Sequence, residues 1–163
     1  MRLVLDVENS VTWRDGKTFN DPFEPTNTLT QVGMVNVDNT EEMHIVNLDH
    51  NEAKDTTGAG RKLIQSVLDM TTLFIMHNAQ HDMMWLWESG YTYDGDIYDT
   101  MLAEYLLQRG QKQPLSLAAC AERRSLAEQK EDYLGTCLKQ GINTNETDLA
   151  KLSVYLRADL LTT

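Results

Sequence analysis

Residues 2–8, RLVLDVE, constrain the fold of this chain more than any other stretch. Leu3, Val4, Leu5 and Val7 give the apolar run of a buried strand. Its end carries Asp6 and Glu8, one residue apart and therefore on the same side of the strand. Like charges that close repel, and burying them is costly. A strand end of this kind calls for something positive to neutralise it.

Composition narrows the class. With 163 residues the chain can form one domain with a real core. Hydrophobic residues make up 41% and charged residues 24%, which fits a soluble globular protein rather than a disordered one. The net charge of −11 argues against gripping duplex nucleic acid by charge alone. It leaves open contact with phosphate through bound cations. Cys120 and Cys137 form no CxxC pair, so a reduced, intracellular setting is expected. No secretory pattern precedes the first strand, and no apolar run is long enough to span a bilayer.

Periodicity organises the rest. Residues 28–37 and 42–48 read as a second and third strand, closing an antiparallel three-strand meander with the first. Residues 49–58 read as loop. GRKLIQSVLDM, residues 60–70, has helical spacing, and residues 72–78 form a fourth strand expected to lie parallel beside the first. AQHDMMWLWESG reads as a helix stopped by Gly90, DGDIYDT as a turn and short strand, and TMLAEYLLQRG as a further helix. Beyond Pro114 the pattern is helical: LSLAACAERR, EDYLGTCLKQG and TDLAKLSVYLRADLL. Strands first, strands alternating with helices next and helices last describe an α/β layered domain. The chain ends within about a turn of its last helical pattern, with no C-cap residue, which reads either as a short last helix or as a cut from a longer protein; the second is the expectation.

Carboxylates recur at the ends of these elements. Asp82 follows Asn78, at the end of the fourth strand, by four residues. Tyr155 and Asp159 are four apart on the last helix and share a face. Asp159 has apolar or small neighbours, so it is expected to be half-buried. Each motif alone has an ordinary reading: a solvated strand end, an acidic residue favouring a helix dipole, a surface hydrogen-bonded pair. Together, four such carboxylates can hold two hard divalent cations. Two ions about 4 Å apart form the clamp that hydrolyses phosphodiesters, and a tyrosine hydroxyl beside the water is a natural positioner.

The ordered set LDVEN, HNAQHD and YLRAD resembles the three motifs of the DEDD (DnaQ-like) 3′–5′ exonucleases, in the tyrosine subclass. YDTMLAEYLL and LSLAACAERRSL resemble the intervening helices of family A DNA polymerase proofreading domains, and the DPFEPTN insertion resembles the bacteriophage members. The resemblance implies an RNase H-like fold with a central mixed sheet of about five strands flanked by helices. It implies a single exonuclease domain over residues 1–163, carried by a longer polymerase. It also implies two Mg²⁺ or Mn²⁺ ions as cofactors. Asp6 would bridge both ions, Glu8 and Asp159 would bind the one that holds the nucleophilic water, and Asp82 would serve the other through water. Tyr155 would hydrogen-bond that water, and Asn78 would contact substrate or shape its motif. The implied substrate is a single-stranded DNA 3′ end, the product a nucleoside monophosphate, the partner a polymerase domain of the same chain, and the setting the host cytoplasm. No membrane and no obligate oligomer are expected. Two other functions share the motifs: a ribonuclease of the RNase D type, and a degenerate exonuclease fold kept as a binding or scaffold module.

His81 stands where many relatives carry Phe or Tyr. It reads either as a substrate phosphate contact or as a partly exposed histidine at a helix start. Trp13, Phe19 and Phe23 could stack bases or could anchor their loop to the core. MMWLW reads as core packing with at least one residue exposed toward a neighbouring domain. TTGAGRK lacks the spacing of a phosphate loop. His44, His50 and His77 lack ligand spacing, and Cys120 reads as a core residue.

Overall fold

The computed structural model describes residues 1–126 and 132–163. In chain order the strands are β1 Arg2–Asn9, β2 Thr12–Arg14, β3 Lys17–Phe19, β4 Leu29–Asn36, β5 Asn39–Asn47, β6 Asp49–His50, β7 Ala53–Lys54, β8 Leu73–Met76 and β9 Asp96–Asp99. The helices are α1 Ala59–Met70, α2 Ala79–Glu88, α3 Thr100–Leu107, α4 Leu117–Arg123, α5 Tyr133–Lys139 and α6 Leu149–Thr162, with a 3₁₀ turn at Thr144–Glu146. The main sheet has five strands in the order β5-β4-β1-β8-β9. β1 pairs antiparallel with β4, and β4 with β5, while β8 runs parallel to both β1 and β9. This is the mixed five-strand sheet expected of an RNase H-like exonuclease fold.

β1 is central and buried on both faces, as its apolar stem requires. Leu3, Leu5 and Val7 pack into one core with Ile64, Val67 and Leu68 of α1 and Met83, Trp85 and Leu86 of α2. Val4 faces the other way and packs with Val35, Leu156 and Leu160. The helix α6 therefore covers the face to which Asp6 and Glu8 also belong by alternation. Its buried line is Leu152, Leu156 and Leu160, one residue per turn, and each burial contributes about 1.5–3 kcal/mol. Leu152, Leu156 and Leu160 put Tyr155 and Asp159 on the flank of that line, at helical positions one residue short of Leu156 and Leu160.

Two segments depart from the sequence reading. Residues 12–19 form the hairpin β2–β3 rather than plain loop. Within the stretch read as loop, Asp49–His50 pairs with Ala53–Lys54. Both ladders are two or three residues long, too short to leave a hydrophobic alternation in sequence. The third strand starts at Asn39, before the apolar pattern begins, because its first residues are exposed and polar. The first residue of the EDYLGTCLKQG pattern lies outside the described residues; the rest forms α5. Among the described residues, no helix is long and apolar enough to cross a membrane. MMWLW is core packing, with Met83, Trp85 and Leu86 buried and Trp87 exposed. Both cysteines are free and buried.

Candidate metal centre

The site forms where β1 and its parallel neighbour β8 end. β8 pairs with Arg2, Leu3 and Val4 only, so β1 continues past it with its β8 side uncovered. After Met76 the chain turns into α2 through Asn78, which adopts a left-handed backbone at φ 67°. Asparagine tolerates that conformation better than most residues. The turn places Asp82 within reach of the exposed edge of β1. The Val7 N–H donates to Asp82 Oδ1 at 3.2 Å and also to Asp6 Oδ1 at 3.1 Å.

Asp6, Glu8 and Asp159 converge. One ligand oxygen from each lies within 4.8 Å of the others. Glu8 is buried, and Asp6 and Asp159 are half-buried, as expected for Asp159. Asp82 is not a member of this three-carboxylate cluster; it sits beneath it, 1% exposed. Burial first, and then the charge of Asp6, hold the Asp82 carboxyl well above the ordinary carboxylate range. The Val7 hydrogen bond opposes this without offsetting it. Burial, followed by the charges of Asp159 and Glu8, pushes the Tyr155 phenol up, so Tyr155 stays protonated at neutral pH.

Three converging carboxylates, with Asp82 beside Asp6, offer oxygen donors of the kind hard divalent cations take. A cation placed there would favour the ionised form of the Asp82 carboxyl. The residues present therefore fit a divalent metal centre.

Three residues that shape the site carried no functional signal in the sequence. Gly33 is the ladder partner of Asp6. A Cβ there would sit 2.6 Å from Leu160 Cδ1 and 3.0 Å from Leu156 Cγ, so glycine is what lets α6 lie close to the sheet. Gln31, the partner of Glu8, is fully buried. Its Nε2 donates to Ser153 Oγ at 3.0 Å and to Asn47 Oδ1 at 2.6 Å, fixing α6 along the sheet. Asp99, at the end of β9, accepts from the N–H groups of Asn78 and Ala79 at 3.1 and 3.0 Å. It also caps α3, accepting from Met101 and Leu102 at 2.9 and 3.2 Å. Only long-range pairing makes these roles visible.

The remaining candidates are less central. The Asn78 side chain makes no capping bond to its helix, and its backbone sets the turn into α2. His81 lies half-buried on the first turn of α2, edge-on to Trp85 with ring centroids 6.5 Å apart. Burial lowers its pKa, so it favours the neutral form, a weak partner for phosphate. His77 is held between Thr100 Oγ1 at 2.9 Å and the Leu115 carbonyl at 2.8 Å, a structural role. His50 is fully buried and His44 is exposed.

The fold and the carboxylate cluster are those of a nuclease. A family model described as 3′–5′ exonuclease matches residues 23–153, and the chain belongs to that family, whose members are nucleic-acid hydrolases. Asn78, His81 and Asp82 lie within the matched span; Asp6, Glu8, Tyr155 and Asp159 lie outside it and join the site through the fold. No curated protein matches the sequence. Among solved structures, the chain is similar to one described as the apo form of the nuclease, at 17% identity and TM-score 0.64. It is also similar to Brucella melitensis NrnC with bound Mg²⁺, at 17% identity and TM-score 0.61. A family B DNA polymerase from the hyperthermophilic archaeon Pyrobaculum calidifontis aligns at 14% identity and TM-score 0.60. The matches cover 98%, 98% and 99% of this chain, and 66%, 66% and 23% of those chains. At these identities the likeness is one of fold.

Proposed function

We propose that this chain removes nucleoside monophosphates from the 3′ end of single-stranded DNA by two-metal phosphodiester hydrolysis, as the proofreading module of a bacteriophage-type family A DNA polymerase. The observation that carries the reading is the convergence of Asp6, Glu8 and Asp159 with their ligand oxygens within 4.8 Å, above the buried Asp82. In this reading Asp6, Glu8 and Asp159 hold one Mg²⁺ or Mn²⁺, and Asp6 and Asp82 serve the second. Bound cations supply a water of lowered pKa and stabilise charge on the phosphorus and the leaving oxygen.

The chain's own groups do the positioning. Tyr155 already carries its proton, so it cannot act as the base; its hydroxyl orients the attacking water by hydrogen bonding. The closeness of α6 to the sheet, permitted by Gly33, sets the distance of Tyr155 and Asp159 from Asp6 and Glu8. Asn78 and His81 stand on the turn and first helical turn that a substrate strand would pass. The exposed Trp87, and the exposed Leu102, Tyr105, Leu106 and Leu107 of α3, support a polymerase domain of the same longer chain as neighbour. The setting proposed is the cytoplasm of the host cell.

A 3′-labelled single strand tests the reading. Mononucleotide release is expected with Mg²⁺ or Mn²⁺ and none with chelator, and Asp6→Ala and Asp159→Ala are expected to abolish it. Matched DNA and RNA strands report the substrate; cleavage confined to RNA would overturn the DNA assignment.

A further inference from the structure

We infer that the β2–β3 hairpin is a contact for the single-stranded nucleic acid upstream of its 3′ end, with Phe19 stacking a base and Lys17 meeting the backbone phosphate. This rests on the proposed exonuclease reading for the identity of the strand.

The sequence left two roles for the aromatic residues of this segment, anchoring the loop or stacking on bases. The structure leaves room for the second. Trp13, Phe19 and Phe23 are 39%, 41% and 61% exposed. Polar bonds at the root anchor the segment. Asn143 grips Val11 from both sides, accepting from its N–H and donating to its carbonyl, each at 2.9 Å. Asn20 Oδ1 accepts from Asn9 Nδ2 at 2.7 Å and from Trp85 Nε1 at 3.1 Å. Asn27 Nδ2 donates to the Asp21 carbonyl at 2.9 Å. The hairpin is thus held at its base while its large apolar rings face water.

The tip is preorganised. Asp15 and Gly16 have φ of 51° and 74°, the two positive values of a tight hairpin turn whose twist matches the strands. The ladder pairs Thr12 with Phe19, Trp13 with Thr18 and Arg14 with Lys17. Cross-strand partners share a face and alternate along the ladder, so Phe19, Arg14 and Lys17 lie on one face and Trp13 on the other. The Arg14 guanidinium lies 5.6 Å from the Phe19 ring centre. Glu24 pairs with Arg14. Like charges set directly opposite each other destabilise a ladder. Glu24 neutralises Arg14, which packs over the Phe19 ring, so Lys17 on the same face is the cation left to meet phosphate beside an exposed aromatic, the combination that recognises an anionic backbone bearing stackable bases.

Position fits the same occupant. Arg14, the ladder partner of Lys17, is six residues after Glu8, and six steps of extended chain reach about 20 Å at most. The hairpin can therefore touch only the nucleotides just upstream of a 3′ end placed at the carboxylates.

The test compares a dinucleotide with a strand of about ten nucleotides, the length scale of single-strand sites. Phe19→Ala is expected to raise KM for the longer strand about thirtyfold, the middle of the range for one lost base stack, and to shrink the preference for it over the dinucleotide by the same factor. Lys17→Ala is expected to weaken binding of the labelled longer strand in chelator and to lower its salt dependence by about one phosphate contact. Trp13→Ala, on the other face, is expected to leave KM for the longer strand unchanged. An unchanged KM and salt slope in Phe19→Ala and Lys17→Ala, with melting temperatures matching the parent, would overturn the inference and point to a protein partner for the hairpin. If the parent protein degrades neither substrate, the exonuclease reading fails, while binding of the longer strand in chelator still reads the hairpin.

Discussion

At the scale of single residues, one backbone N–H carries much of the logic. Val7 donates to both Asp6 and Asp82, so two carboxyl groups converge on one N–H. Their mutual repulsion is what a cation would relieve, and Asp159 adds a third carboxylate beside Asp6. Asp159→Asn keeps the shape and removes that charge. It is expected to lower kcat by about 10²-fold or more, the lower end of the effect of losing a transition-state stabiliser. The check is the rate at saturating substrate across a metal titration; a rate restored by extra metal would assign Asp159 to affinity alone. Tyr155 makes a separate prediction. Its phenol is pushed up in pKa, so it does not titrate between about pH 6 and pH 9. Tyr155→Phe is expected to lower kcat by about 10²-fold through misplacement of the water, with the shape of the pH–rate profile unchanged. A lost inflection in that profile would show the tyrosine acting as a proton carrier instead.

At the scale of elements, the site depends on how closely α6 lies on β1 and β4. Gly33→Ala places a methyl group 2.6 Å from Leu160 Cδ1 and 3.0 Å from Leu156 Cγ. Overpacking of this kind costs about 1–3 kcal/mol, and lifting α6 moves Tyr155 and Asp159 away from Asp6 and Glu8. The expected outcome is a lower melting temperature with a kcat loss of about 10²-fold, out of proportion to the fraction unfolded. Asp99→Ala acts on the other wall. It removes the acceptor for four backbone N–H groups and is expected to cost about 2 kcal/mol, read by chemical denaturation. These two positions also mark where the sequence falls silent. The order of the main strands was legible because each long strand carries its own apolar pattern and each link its own length. Asp6 with Glu8, and Tyr155 with Asp159, were legible as pairs because strand and helix periods put each pair on one side; Asp82 was legible from its place at a strand–helix junction and from the order of the three motifs. Gly33, Gln31 and Asp99 were not, because their roles arise from ladder register and from contacts between elements far apart in the chain. The β2–β3 hairpin escaped for a different reason. Its turn pair Asp15–Gly16 is a hairpin signal, but its strands have no buried side to produce alternation.

At the scale of the whole molecule, a divalent cation at the carboxylate cluster would couple to folding. The chain buries Asp82 beside Asp6, and its carboxyl is held well above its ordinary range by burial first and by the Asp6 charge second. A raised carboxyl binds its proton more tightly in the native state than in the unfolded chain. Its contribution to stability is therefore present below the ordinary carboxylate range and is lost as pH rises toward the native value. A divalent cation at the site reverses this, because it favours the ionised form. It also stabilises only the folded protein, by about 2.7 kcal/mol at a hundredfold excess over Kd. The rise in melting temperature on adding Mg²⁺ or Mn²⁺ is thus expected to be larger near about pH 8 than near about pH 5. In chelator, Asp82→Asn is expected to flatten the fall in stability between those two pH values, because the amide has no proton to lose while its carbonyl can still accept from Val7. Differential scanning fluorimetry of the parent and the variant, each with metal and with chelator, reads all four cases. An equal metal effect at both pH values, with the variant tracking the parent in chelator, would mean that Asp82 does not link the cation to the fold.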